Sequence, residues 1–373
     1  MGTEATSPPG RPTPAGPSRS PGVPPPGVLP AGLRARGSGR LLAVLGLLLL
    51  SPYAAELLSA YHGPVTNPVG TVLVPLAVFA PLYGTAAVLI RELVRRTGRG
   101  WPSILLLSAA FGLIQAGLID QSLLDHEEMA KSEFWDAPTT LLPIVGVDAS
   151  QLLTFVVGHV IWSFAAPIAV VEATVPRIAD RPWLGRFGIA GVIGLYLLAA
   201  VFFMNDLVLS RGNLAPPVEL AGVAFVVLVL MVTAFRLSPS GATGSTGSGT
   251  RTDRPGWRGA VLPGVLSLML LTIEELALQS WAGVAIRVAI LLLLASILLR
   301  WSARSEWTRL HVAAVAGAAL LSRALVAFLV PPLGTSMTVK LISSTVVLFA
   351  VLGLVGWGWC RTARTLHHDA EAR

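Results

Sequence analysis

Apolar runs long enough to cross a lipid bilayer recur along most of this chain. About 20 apolar residues in a helix cover the roughly 30 Å hydrocarbon core of a membrane. From Leu41 onward, runs of this length alternate with short polar or Pro- and Gly-marked breaks. The pattern predicts ten transmembrane helices, at residues 41–61, 71–92, 102–120, 150–174, 186–206, 217–236, 260–279, 281–300, 310–330 and 339–360. We therefore expect an all-α, polytopic transmembrane helical bundle. The seventh and eighth runs form either a tight hairpin or one fused segment, because the break from Leu278 to Gly283 is short.

The composition excludes an ordinary soluble domain. Hydrophobic residues make up 53% of the chain and charged residues 13%, and the mean hydropathy is +0.70. The net charge of +7 arises mainly at span ends and in the N-terminal tail, so membrane topology explains it and no nucleic-acid partner is expected. The single cysteine, Cys360, excludes an intramolecular disulfide and a cysteine-based metal site.

Basic residues mark alternate ends of the predicted helices, which sets the orientation of every span. Lys and Arg stay on the cytoplasmic side of a bilayer. Arginines precede the first span and follow the second, fourth, sixth, eighth and tenth: Arg34, Arg36, Arg40, Arg95, Arg96, Arg99, Arg177, Arg181, Arg186, Arg251, Arg254, Arg258, Arg300, Arg304, Arg309, Arg361 and Arg364. The loop at 120–148 is acidic instead. This pattern predicts ten spans with both termini cytoplasmic, in the inner (plasma) membrane.

Composition shifts divide the chain into five predicted regions. They are a disordered Pro/Gly-rich cytoplasmic tail at 1–38, a six-span part at 39–237, a flexible cytoplasmic linker at 238–258, a four-span part at 259–361 and a cytoplasmic tail at 362–373.

Ionisable side chains inside the predicted helices are the candidate substrate- or ion-pathway residues. Each costs about 2.5–3.5 kcal/mol at mid-membrane on insertion scales, so each needs a partner or a use. The candidates are Glu56, His159, Asp206, Glu274, Glu275, Arg287 and Arg323, with Lys340 near the outer end of the tenth span. Apart from His159, which is mid-span, the predicted topology places them in the outer half of the membrane. Because the turn between spans seven and eight is short, we expect Glu274 or Glu275 to form an ion pair with Arg287.

Two of these candidates allow two interpretations each. His159, in FVVGHVIWSFAAP, is either a neutral packing histidine or a proton relay. Glu56 follows Ser51-Pro52, a helix break that could free carbonyls to coordinate an ion; alternatively, Glu56 snorkels to the outer surface.

Several chemistries lack sequence support. Asp125-His126-Glu127-Glu128 offers oxygen and imidazole ligands but not the spacing of a defined metal site. The chain has no HExxH, no Gly-rich phosphate loop and no GxSxG. We therefore predict no catalytic residues, no metal and no cofactor.

Four short motifs carry a family resemblance. They are Tyr83-Gly84, Ile90-Arg91-Glu92-Leu93, Gly98-Arg99-Gly100-Trp101-Pro102 and Ala110-Phe111-Gly112-Leu113-Ile114. Together they resemble the core of an uncharacterised family of bacterial, mainly actinobacterial, polytopic membrane proteins, over roughly residues 40–330. In that family the positions of Gln115-Ala116 are often a Glu-Glu pair, and a histidine in the fourth span resembles His159. The resemblance implies a fold and no specific activity.

Three functions remain open from the sequence. The leading hypothesis is a carrier-like transporter with a polar cavity in its outer half, for a small molecule or ion that the sequence does not identify. The second is a non-enzymatic assembly or signalling subunit with membrane-protein partners. The third is an intramembrane protease, because Glu274-Glu275 faintly resembles the Glu-Glu motif of CAAX-type proteases. However, Gln279 stands where that family has arginine, and the later histidines, His311 and His367-His368, lie at or beyond a cytoplasmic span end. A non-enzymatic function is favoured, with the lipid bilayer as the expected contact.

Overall fold

A computed structural model describes residues 2, 31–60, 62–125, 139–143, 145–211, 214–238 and 257–371. The chain divides into two compact units, Met1–Ser38 and Gly39–Arg373, and all the packing reported below lies within the second unit. Most of the predicted tail at 1–38, most of the linker at 238–258 and residues 126–138 of the acidic loop lie outside the described residues.

The described residues form ten long helical segments, which we number α1 to α10. They are α1 (Ala31–Pro52, continued by Tyr53–Leu57), α2 (Val69–Arg96), α3 (Trp101–Ile119), α4 (Ala149–Thr174), α5 (Arg186–Arg211), α6 (Pro217–Arg236), α7 (Trp257–Glu275), α8 (Trp281–Ser302), α9 (Arg309–Val326) and α10 (Met337–Glu371). Two short strands, β1 (Leu141–Leu142) and β2 (Val147–Asp148), pair antiparallel before α4. The prediction of an all-α membrane bundle is confirmed.

Nine of these segments, within the described part of the chain, are long and apolar enough to cross a membrane. The segment α7 is not one of the nine, so its crossing remains a prediction from the charge pattern. The fused alternative for spans seven and eight is wrong. A separate α8 begins after Ser280, whose hydroxyl accepts a hydrogen bond from the Gly283 amide at 3.1 Å and caps the helix.

The two largest apolar clusters in the described part of the chain form most of the core. One joins α1, α2, α3 and α4 around Leu47, Ile90 and Phe164. The other joins α1, α4, α7, α9 and α10 around Leu58, Leu271 and Leu320. The helices α5, α6 and α8 lie at the periphery. Only 6%, 17% and 17% of the residues in their most apolar stretches are buried. Their apolar faces are therefore the surfaces available to lipid.

Helices α1 to α4 are interrupted by π-helical turns, which the sequence pattern does not predict. These turns are Tyr53–Leu57, Val69–Leu73, Ala80–Gly84, Ile114–Ile119, Leu153–Val157 and His159–Ala165. Such turns are rare and occur frequently at functional sites.

The interrupted helices lie very close together. A Cβ atom at Gly84 on α2 would lie 2.3 Å from the Leu48 carbonyl oxygen on α1. Nearby, the Ser51 hydroxyl lies 2.6 Å from the Ser163 carbonyl oxygen and 3.1 Å from that of Tyr83, both in π-helical turns. Gly84 and Ser51 therefore bring α1, α2 and α4 into contact at one level of the bundle.

Candidate functional site

Glu56 lies in the π-helical turn that ends α1, directly after the Ser51-Pro52 break. Its side chain is hydrogen-bonded to that of Tyr83, which lies in a π-helical turn of α2. Glu56 is partly buried against α2, so the structure does not show it snorkelling away from the bundle. The two turns together hold a carboxylate at the junction of α1 and α2.

A shallow pocket with room for about one water molecule lies beside this carboxylate. Glu56 and Tyr53 line it from α1, His62 from the following loop, and Thr71 from the start of α2. The predicted topology assigns this end of the bundle to the outside. On that topology, the pocket beside Glu56 opens toward the outer side.

Arg323 on α9 is the basic residue that acts electrostatically on Glu56. Its guanidinium pairs with Glu275 of α7 at 2.8 Å, and the Ser322 hydroxyl donates to the same carboxylate at 3.2 Å. It also lies over the Trp162 ring of α4, 5.2 Å from the centroid. Arg323 and Asp120 are both near enough to act electrostatically on Glu56. One arginine thus lies within the influence of two intramembrane carboxylates, Glu56 and Glu275.

His159 on α4 joins these residues through the Tyr83 ring. Its Nδ1 lies 3.0 Å from the Ser163 hydroxyl, and its ring centroid lies 5.3 Å from that of Tyr83. A Cβ atom at Gly112 would lie 3.0 Å from the His159 Cβ, so glycine leaves the space that the imidazole occupies. Tyr83 therefore contacts Glu56 through its side-chain hydrogen bond and His159 through its ring. We call Glu56, Tyr83, His159, Glu275 and Arg323 the outer polar cluster.

Glu274, the other acidic residue at the end of α7, does not belong to the outer polar cluster. Glu274 pairs with Arg287 of α8, with 2.7 Å between Oε1 and Nε, and both side chains are buried. Arg287 also donates from Nη1 to the Ser150 carbonyl at 3.2 Å and to the Thr154 hydroxyl at 2.9 Å. The predicted ion pair across the hairpin is confirmed, with Glu274 as the acid. It joins α7 and α8 to the start of α4.

Two further polar residues differ in their surroundings. Asp206 is exposed on α5, so the structure does not bring it to the outer polar cluster.

Lys340 is fully buried, and its ammonium donates to the Ser59 carbonyl at 2.8 Å, the Ser344 hydroxyl at 2.8 Å and the Ala327 carbonyl. Ala327 caps the C-terminus of α9, where the helix dipole favours a positive charge. Lys340 thus joins the ends of α1 and α9 to α10.

A buried ionic network at the basic end of the bundle was missed by sequence reasoning, which treated its arginines as topology markers. Arg91 pairs with Glu92 at 2.7 Å and with Glu172 of α4 at 3.1 Å. Arg95 donates to both oxygens of Glu172, at 2.8 and 2.6 Å. Glu92 also accepts the backbone amide of Trp183 at 2.7 Å. We call Arg91, Glu92, Arg95 and Glu172 the arginine–glutamate network. Acidic residues at an otherwise basic span end were the signal that could have revealed it.

Metal ligation has no support in the described part of the chain, where no group of three or more His, Cys, Asp and Glu residues could hold an ion. The candidate sequence at 125–128 lies mostly outside the described residues.

The fold and its intramembrane charges define a polytopic helical membrane protein. A family model described as an uncharacterized membrane protein family matches residues 44–367, and the chain belongs to this family. This confirms the resemblance found in the Tyr83-Gly84 and Ile90–Leu93 motifs. Comparison with curated proteins found no match, and comparison with solved structures found none.

Proposed function

We propose that this protein is a carrier-like transporter of the inner (plasma) membrane, whose substrate pathway begins at the pocket beside Glu56. The observation that carries the proposal is the position of Glu56: a carboxylate in a π-helical turn, in the wall of a pocket open at one end of the bundle. Broken helices that place an ionisable group at a cavity are the usual construction of ion and substrate sites in transporters.

The outer polar cluster supplies the chemistry that such a site needs. Arg323 is paired with Glu275 and acts electrostatically on Glu56, so a change of charge at Glu56 alters the balance between the two carboxylates. When a cation or proton binds at Glu56, its negative charge is neutralised, and Arg323 then interacts electrostatically with Glu275 only. Because these groups lie on α1, α7 and α9, this exchange couples occupancy of the pocket to the packing of three helices.

Ion flux in proteoliposomes tests the proposal. We expect wild-type protein to carry a proton- or sodium-coupled current when a panel of small organic ions is applied to the outer side. Glu56→Gln should abolish this current while the protein folds normally. Asp206→Asn is the matched control, since it removes a membrane acid that lies on an exposed face. Equal loss in both variants, or full activity of Glu56→Gln, would contradict a pathway through Glu56.

A non-enzymatic assembly or signalling subunit is the second candidate. The observation that favours it is pairing: Glu172, Glu274 and Glu275 are each bound by an arginine, which is the common structural use of intramembrane charge. Crosslinking in native membranes tests it, because such a subunit is recovered with a constant partner. The protease hypothesis gains nothing from these contacts, since both acids of its Glu-Glu pair are held by arginines.

A further inference from the structure

Three arginines surround the connection that leads into α5. Arg96, at the end of α2, is 34% exposed and donates to the Leu184 carbonyl. Arg181 and Arg186 flank the same connection and are both exposed. We call Arg96, Arg181 and Arg186 the arginine rim.

The backbone between these arginines is firmly held. Glu92 accepts the amides of Trp183 at 2.7 Å and Leu184 at 3.3 Å. The Trp183 indole donates to the Ile178 carbonyl at 3.0 Å, and the Arg91 guanidinium lies 3.5 Å from the Trp183 ring centroid. The rim is therefore a preformed surface, because buried groups fix the chain that carries Arg181 and Arg186.

The charge of the rim is only partly neutralised by its acidic neighbours. Glu92 is shared between Arg91 and Arg96, and Glu172 is shared between Arg91 and Arg95. Asp180, the exposed acid of this connection, pairs with Arg309 of α9. The first turn of α5 contains no acidic residue. An anionic ligand at the rim thus meets excess positive charge.

An exposed aromatic residue lies beside this charge. Phe187 is 78% exposed, next to the Arg186 guanidinium at the start of α5. The helix continues with an exposed apolar face, including Leu197 and Leu198. We propose that the rim binds the headgroup of an anionic phospholipid in the cytoplasmic leaflet, with its acyl chains along α5. A free phosphate ion could also bind the arginines, but it has no apolar part to contact Phe187 or the exposed apolar face of α5.

Lipid titration followed by native mass spectrometry tests this proposal, with phosphatidylglycerol and phosphatidylcholine as the probes. We expect wild-type protein to bind phosphatidylglycerol at least about tenfold more tightly. The double variant Arg181→Gln/Arg186→Gln should lose on the order of 30-fold in affinity for phosphatidylglycerol, from two charges near an anionic surface. The matched control is Arg300→Gln/Arg304→Gln, which removes two exposed arginines at the end of α8 on the same predicted side. It should change affinity by less than about threefold, because it leaves the arginine rim and Phe187 intact.

Further measurements separate a lipid site from a free-anion site. Phe187→Ser should weaken phosphatidylglycerol binding, and inorganic phosphate at millimolar concentration should not displace the lipid. The melting temperature without added lipid should match wild type in all variants, since the altered side chains are exposed. Equal binding of the two lipids, equal losses in the two double variants, or displacement by inorganic phosphate with no effect of Phe187→Ser would each overturn the proposal.

Discussion

Glu274 on α7 and Arg287 on α8 form a buried ion pair across the hairpin that joins the two helices, with 2.7 Å between Oε1 and Nε. Removal of one partner leaves the other charge uncompensated. We therefore expect Arg287→Ala to destabilise the protein by about 3–5 kcal/mol and to express poorly. Thermal unfolding in detergent, with expression level as a second measure, checks this result.

A rescue experiment separates the two adjacent acids. Arg287→Leu combined with Glu274→Gln should recover most of the lost stability, because no unpaired charge remains. The same arginine change with Glu275→Gln should not recover it, because Glu275 pairs with Arg323. If the Glu275 combination rescues equally well, the assignment of the pairs is wrong.

Glu172 is expected to be essential for the basic end of the bundle. Both Arg91 and Arg95 depend on its carboxylate, and Glu172 is buried. Glu172→Gln should lower stability by about 3–5 kcal/mol, since two guanidinium groups lose their shared countercharge. Glu306→Gln, at an exposed position, is the control and should change stability by less than about 0.5 kcal/mol. A melting temperature of Glu172→Gln equal to that of wild type would contradict the network.

Close helix contact at Gly84 gives a steric prediction. A Cβ atom there would lie 2.3 Å from the Leu48 carbonyl oxygen, which belongs to backbone and cannot rotate away. Gly84→Ala should destabilise the protein by about 1–3 kcal/mol, because α1 and α2 must separate. Gly194→Ala, in α5, places a methyl group where no atom lies within 4 Å, and should stabilise by up to about 1 kcal/mol. Melting temperatures of the two variants that shift in the same direction would argue against this contact.

The stability of the loop before α4 should depend on pH through Asp148, which lies just outside the membrane span. Burial by itself raises the pKa of this carboxyl, but hydrogen bonds donated by the Gln151 amide and by Thr140 outweigh it and lower the pKa below its usual 3.8. Because the folded pKa is the lower one, the contribution of Asp148 to stability is complete above the unfolded pKa. It is lost as pH falls through the folded pKa.

Asp148→Asn isolates this contribution. At pH 7 the variant should be less stable than wild type by about 1–2 kcal/mol, because its amide group cannot accept all the bonds from Thr140 and Gln151. The difference should begin to narrow as pH falls below about 4, the pKa of an unfolded Asp, and should narrow further as pH approaches the lower folded pKa. Melting temperatures from pH 3 to 7 measure it, and a difference that is constant across this range would refute the assignment.

Helix positions could be predicted closely from the sequence, whereas the arrangement of polar groups could not. Apolar length and charge alternation placed α4, α5 and α6 within a few residues, because the bilayer constrains length and orientation directly. The short hairpin also predicted that Arg287 meets one of two acids. To choose Glu274 rather than Glu275 as the partner of Arg287, one must know which face of α7 packs against α8, since adjacent residues on a helix point about 100° apart.

The outer polar cluster was predicted in part. Glu56, His159, Glu275 and Arg323 were recognised as intramembrane charges, but Asp206 was grouped with them by depth alone and lies on an exposed face. Depth can be estimated from position along a span, while rotation around each helix depends on packing. The π-helical turns at Tyr53–Leu57 and His159–Ala165 alter that rotation locally, and no periodicity in the sequence indicates them.

Whether α7 crosses the membrane decides which side of the bundle each of these sites faces. If it crosses, Ser238 after α6 and Leu278 in the α7–α8 turn lie on opposite sides. Single cysteines at these exposed positions, in a Cys360→Ser background, can be tested with an impermeant thiol reagent applied to intact cells. We expect Leu278→Cys to react from outside and Ser238→Cys to react only after the membrane is permeabilised.

Two further cysteines calibrate the labelling experiment. Ser210→Cys, near the end of α5, should react from outside, and Ser305→Cys, between α8 and α9, should not. Because α8 lies between the Leu278 and Ser305 positions, this pair tests the α8 crossing independently of α7. Reaction of Leu278→Cys and Ser238→Cys from the same side would mean that α7 does not cross. That result would also contradict the Glu275–Arg323 ion pair, which places the end of α7 close to Glu56.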